Sequence, residues 1–139
     1  MKRLLMLIHP VVVLCLFATI LISGEHFGGL YILYILMALP HGGMYSLFAS
    51  FGAALLILSL IRYKPESGHF MGPLLDVFGI FSLYASLYTF FLESGGYNRS
   101  TFEQGIPFFT IVLFVLLSLT YLIVSISRFS RYRRGRTTS

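Results

Sequence analysis

Residues 30 to 61, LYILYILMALPHGGMYSLFASFGAALLILSLI, contain no charged side chain. As one α-helix the stretch would be about 48 Å long, against a bilayer core of about 30 Å. It is too long for one ordinary crossing and too short for two good ones. Its first third carries Pro40-His41-Gly42-Gly43, a run that breaks helices. How the chain uses this over-long, interrupted segment decides its topology.

Only 11% of the residues are charged and 57% are hydrophobic, whereas soluble domains carry about 25% charge. With several apolar runs of about 20 residues, this places the chain among polytopic membrane proteins. The polar loops are too short to hold a separate soluble catalytic module. The net charge of +5 does not point to nucleic acid, because the cations sit at helix ends and in the C-terminal tail. The single cysteine, Cys15, lies inside the first apolar run and is expected to be a small buried residue.

The first run, Leu4 to Ser23, is long for a signal-peptide core and no A-x-A-like site follows it, so it is expected to remain as a membrane helix. His9-Pro10 falls in an early turn, where proline costs little. His9 is expected near the headgroups. Gly24 to Gly29 reads as a turn. After the long segment, Arg62 to His69 is a polar loop and Gly72-Pro73 opens the next helix. Asp76 is expected in that helix's first turn, where the dipole favours an anion. Glu93 to Gly105 is a second loop. Its Asn98-Arg99-Ser100 matches a glycosylation sequon and is expected to be fortuitous.

Charge placement orients the chain. Of ten lysines and arginines, all except Arg99 fall in Lys2-Arg3, Arg62-Lys64 or the tail. The positive-inside rule puts these three regions on the cytoplasmic side of an inner membrane, which requires an even number of crossings. The expected fold is an all-α, four-helix transmembrane bundle forming a single domain over residues 1–127. Its crossings are near 4–23, 43–61, 74–92 and 107–127, and both termini are cytoplasmic. Residues 30–39 are left with nothing to span. Ten apolar residues in water would cost about 1.5–3 kcal/mol for each large side chain. They are therefore expected to form a short outer-interface or re-entrant helix, with the Tyr31 and Tyr34 hydroxyls at headgroup level. The alternative is one long, tilted, kinked crossing.

Two faces stand out. After the break, Gly42, Ser46, Ser50 and Ala54 recur every four positions, a small-xxx-small stripe that admits a close neighbour. In the third helix, Asp76, Gly79, Ser82, Ser86, Thr89 and Glu93 share one face. Serine and threonine return their hydroxyls to the preceding turn, so this stripe packs without needing a ligand. Its sharper reading is an ion or proton path with an acid at each end.

No serine-histidine-acid set, phosphate loop or paired-carboxylate site is visible. Of four histidines, no two have the i, i+4 spacing of a helical metal pair. Glu25, His26, His41 and Glu93 are ligand types that could converge at the outer surface, but no metal or other cofactor is expected. The tail, residues 128–139, is expected to be disordered at its end. Its Arg128, Arg131, Arg133, Arg134 and Arg136 suit anionic headgroups at about 1 kcal/mol per cation.

The expected function is that of a small, non-enzymatic accessory or interaction subunit of a larger membrane assembly. Its partners would be membrane lipids and other membrane subunits or further copies of itself. The alternative is a homo-oligomeric transporter or channel using the break at 40–43 and the polar stripe.

Overall fold

The computed structural model describes residues 9–24, 28–62 and 71–136. Three helices are long and apolar enough to cross a membrane: α3 (Met44–Arg62), α4 (Met71–Glu93) and α6 (Gly105–Arg136), the last over its stretch to Ser127. Shorter helices accompany them: α1 (Pro10–Ala18), α2 (Tyr31–Ala38) and α5 (Ser100–Glu103). Two short strands, β1 (Leu21–Ser23) and β2 (Gly28–Leu30), pair antiparallel with Ile22 opposite Gly29.

The over-long apolar segment is divided at its break. α2 ends in a 3-10 turn over Leu39–His41, and Gly42 takes a left-handed conformation at φ 70°. α3 then starts afresh, with the Ser46 hydroxyl donating to the Gly43 carbonyl at 2.7 Å. Proline removes an N–H that a continuous helix would use, and glycine adopts positive φ without a Cβ penalty. Together they turn the chain. α2 is a separate short helix, as the length argument favoured.

The first apolar run departs from expectation. Its described helix stops at Ala18 instead of continuing to Ser23. Thr19 bonds back to the Cys15 and Leu16 carbonyls, and Leu21–Ser23 beyond it forms β1. The fold is therefore mainly, not wholly, α-helical. α1 is about 13.5 Å long, less than half a bilayer core, and a full four-helix bundle does not follow from the described residues. The free edge of β1 is closed by hydroxyls from far along the chain. Leu21 N–H donates to Thr110 Oγ1 at 3.0 Å, and Ser23 N–H to Thr101 Oγ1 at 3.0 Å. Thr101 and Ser100 in turn donate to the Ser23 carbonyl at 2.9 and 2.7 Å. Non-helical backbone in an apolar setting persists only when its polar groups are satisfied in this way.

α4 is the hub. Asp76, Gly79, Ile80, Leu83, Ser86, Leu87 and Phe90 are buried along it, the 3-4-3 spacing of one helical face. α3 lies antiparallel along that face. Ser59 meets Asp76 near one end, Gly52 meets Gly79 in the middle, and the Tyr45 carbonyl meets Ser86 near the other. α6 covers the other flank through Tyr84, Phe114 and Ser118. α1 packs on α6 with Phe17 against Phe114, ring centroids 5.4 Å apart.

Outside, the large apolar side chains of the long helices are exposed, among them Phe78, Phe81, Leu92, Phe109, Leu116 and Ile123. An apolar exterior around a mainly apolar core, with its few buried polar side chains hydrogen-bonded inside, is the arrangement a lipid solvent favours. Cys15, expected to be buried, is exposed on α1, because the buried side of that short helix is the one carrying Pro10, Val13 and Phe17. The expected disorder belongs to the very end of the basic tail, and the described part of that tail is helical. Helix α6 runs on to Arg136, since arginine is a good helix former and cations suit a helix C-terminus. Residues 137–139 lie outside the described part.

Candidate functional site: a buried carboxylate joining three helices

Asp76 is 5% exposed. It stands in the second turn of α4, one turn deeper than expected, because the helix begins at Met71 and takes Pro73 into its first turn. Proline is tolerated there, where N–H groups have no helical partner. Each carboxylate oxygen accepts one serine hydroxyl. Ser59 of α3 donates to Oδ1 at 2.6 Å, and Ser125 of α6 donates to Oδ2 at 2.6 Å. Both serines are themselves buried. One acid thus ties the last turn of α3 and the start of α4 to α6. The arrangement also brings the end of α3 that carries Arg62 and the start of the Arg128–Arg136 stretch of α6 to the same end of the bundle, the basic end.

Two further hydrogen-bonded links from α4 lie progressively nearer the opposite end. Tyr84 pairs its hydroxyl with Ser118 of α6 at 2.6 Å. Ser86 donates to the Tyr45 carbonyl of α3 at 2.7 Å and lies 2.8 Å from the Tyr31 hydroxyl of α2. Tyr31 is fully buried, its ring clamped edge-on by Phe17 and Phe90. Burial pushes its phenol above the usual tyrosine range. Its bond to Ser86 opposes that rise, while Tyr45 and Glu93 add to it. Phe90 is the centre of this aromatic group, with Tyr34 and Tyr45 also edge-on at 5.4 and 5.2 Å.

The stripe expected along α4 is placed unevenly. Asp76, Gly79 and Ser86 are buried, whereas Ser82 and Thr89 are half-buried and Glu93 is exposed. Thr89 returns its hydroxyl to the Ala85 and Ser86 carbonyls at 2.8 and 3.1 Å. The stripe expected on α3 is corrected more sharply. Ser46 is buried, but Gly42, Ser50 and Ala54 are exposed. A strict four-residue repeat advances about 40° beyond a full turn at each step, so it leaves the contact face within three steps. The face that packs is Ser46, Ala49, Gly52, Leu56 and Ser59. Ser59 and Ser125 carried no signal in the sequence beyond being serines within apolar helices. What could have exposed them is a polar residue on each helix at the depth of Asp76.

The other expected residues that are described form no cluster of three possible metal ligands. His41 is exposed beyond α2, its Nδ1 3.1 Å from the Met37 carbonyl. His9 caps α1 by accepting the Val11 N–H at 3.4 Å. Glu25 and His26 lie outside the described residues, and among the described residues no group of three histidine, cysteine or acidic side chains could hold a metal. Every buried side-chain nitrogen or oxygen among the described residues has a hydrogen-bond partner. Comparison with protein-family models, curated proteins and solved structures finds no match to this chain.

Proposed function

We propose that this protein is a small multi-pass accessory or interaction subunit of a larger membrane assembly, without catalytic chemistry of its own. The observation that supports this most is the inward pairing of its polar groups. Asp76, Ser59, Ser125, Tyr84, Ser118, Tyr31 and Ser86 hold helices to one another. That leaves the exterior apolar and suited to lipid and to neighbouring helices. In this reading the basic end faces the cytoplasm, both termini are cytoplasmic, the membrane is the inner membrane, and the first apolar segment completes a fourth crossing. Arg128 and the arginines that follow it then meet anionic headgroups.

Isolation in mild detergent after crosslinking in the membrane tests the assembly. A defined partner protein in constant stoichiometry supports the reading, and a stable homo-oligomer without partners refutes it. Labelling a cysteine placed at Ser100 tests orientation, since reaction only from the cytoplasmic side would invert it.

A second reading, a homo-oligomeric transporter or channel, is favoured by one observation: a buried carboxylate within membrane-length helices is a functional hypothesis by default. Ion flux in liposomes that is unchanged by Asp76→Asn and Glu93→Gln refutes it.

A further inference from the structure

We propose that Asp76, Ser59 and Ser125 form a proton-responsive latch, in which one proton taken up by the carboxylate changes how α3 is held against α4. The geometry contains both hydrogen-bond arrangements the latch needs. With Asp76 ionised, both serine hydroxyls donate to it at 2.6 Å. The Ser59 hydroxyl has a second acceptor in reach, the Gly72 carbonyl at 3.5 Å, on the same helix as Asp76.

A proton from water at the basic end forms an O–H bond at Oδ1 and removes the carboxylate charge. Oδ1 then donates to Ser59 Oγ across the existing gap, and the Ser59 hydroxyl hydrogen turns to Gly72. Ser125 keeps its direction of donation to Oδ2. No donor is lost, but two charge-assisted bonds become neutral and weaker. The contact to Gly72, at the outer limit of a hydrogen bond, must also shorten. Protonation therefore draws the last turn of α3 toward the start of α4 while loosening its tie through Asp76 to α6.

Among the described residues, the titratable and charged positions on the elements around the latch are few. Arg62 on α3 and Arg128 on α6 stand one turn beyond Ser59 and Ser125, toward the basic end. Tyr121 stands one turn to the other side of Ser125 and is buried. The other acid of α4, Glu93, is exposed at the opposite end.

The test uses the full chain in lipid nanodiscs, with Cys15→Ser and spin labels on cysteines placed at the exposed positions Ile61 and Ile123. As pH is lowered, the distance between the labels should change in a single one-proton transition, and Asp76→Asn should abolish it. An unchanged distance in the parent, or the same transition in Asp76→Asn, overturns the proposal. Infrared spectroscopy of the unlabelled chain provides a readout without altering the acid. A protonated-carboxyl band should grow over the same interval and shift in both Ser59→Ala and Ser125→Ala. A band that neither substitution moves belongs to another acid and also overturns the latch.

Discussion

At Gly52 the backbones of α3 and α4 come so close that a single added methyl has no room. A Cβ there would stand 2.7 Å from the Gly79 carbonyl oxygen and 2.9 Å from Leu83 Cδ2. The carbonyl belongs to a helix backbone and cannot swing aside, and Leu83 is fully buried. Gly52→Ala must therefore push the two helices apart. Overpacking of this kind costs about 1–3 kcal/mol. Alanine's better helix propensity offsets roughly 0.5–1 kcal/mol of it, which leaves a net loss of up to about 2.5 kcal/mol.

The separation also strains the bonds that span the same pair, Ser59 to Asp76 and Ser86 to the Tyr45 carbonyl. The assay is reversible unfolding in mixed micelles, followed by circular dichroism because the chain has no tryptophan. Gly72→Ala is the control, since a Cβ at Gly72 meets nothing within 4 Å. Ala54→Leu is a second control, at an exposed position of the four-residue stripe. If Gly52→Ala is as stable as Gly72→Ala, or if Ala54→Leu is the more damaging change, the packing face of α3 is wrong.

Ser125→Ala removes one of the two donors to Asp76 and should cost about 0.6–1.7 kcal/mol, the range of helix–helix hydrogen bonds in membranes, read in the same unfolding assay. Thr101→Val deletes the hydroxyl that both accepts the Ser23 N–H and donates to its carbonyl; a loss of about 1–3 kcal/mol should appear as faster amide exchange at Ser23. Tyr31→Phe should destabilise by a similar membrane-range amount at neutral pH, about 0.6–1.7 kcal/mol. It should also blunt the alkaline loss of stability. Because burial raises the folded Tyr31 phenol above its ordinary value, its contribution is fully present below the unfolded value of about 10. That contribution is lost as pH rises through the folded one. A stability curve of Tyr31→Phe that falls as steeply as the parent's would refute this.

Much of the helical content was legible because membrane-length apolar runs and their punctuation are local signals. The run after Pro73, the run after Pro107 and the break at Pro40–Gly43 each mark a helix or its end through residues within a few positions of one another. The β1–β2 pair was not legible. Leu21, Ile22 and Ser23 have the same composition as the helix before them, and the groups that make a strand possible, Thr101 and Thr110, lie far along the chain. The α3 stripe misled for a geometric reason: a repeat of four is not a repeat of 3.6, so Ser50 and Ala54 drifted off the face that Ala49 and Gly52 occupy. For the candidate site, Asp76 was visible as an acid in an apolar context, whereas its partners were two unremarkable serines on other helices.

Composition and charge placement alone determined that this is an apolar, membrane-class chain with its cations gathered at helix ends, because the cost of exposing apolar runs to water allows no other solvent for them. The break in residues 30–61 was equally a property of the sequence, since proline and glycine act on their own backbone. Only the tertiary structure decided what stands beside Asp76. The α3–α4 register set by Gly52 against Gly79 brings Ser59 to one carboxylate oxygen, and the packing of α6 brings Ser125 to the other. Both depend on helix rotation and depth, which no single segment encodes.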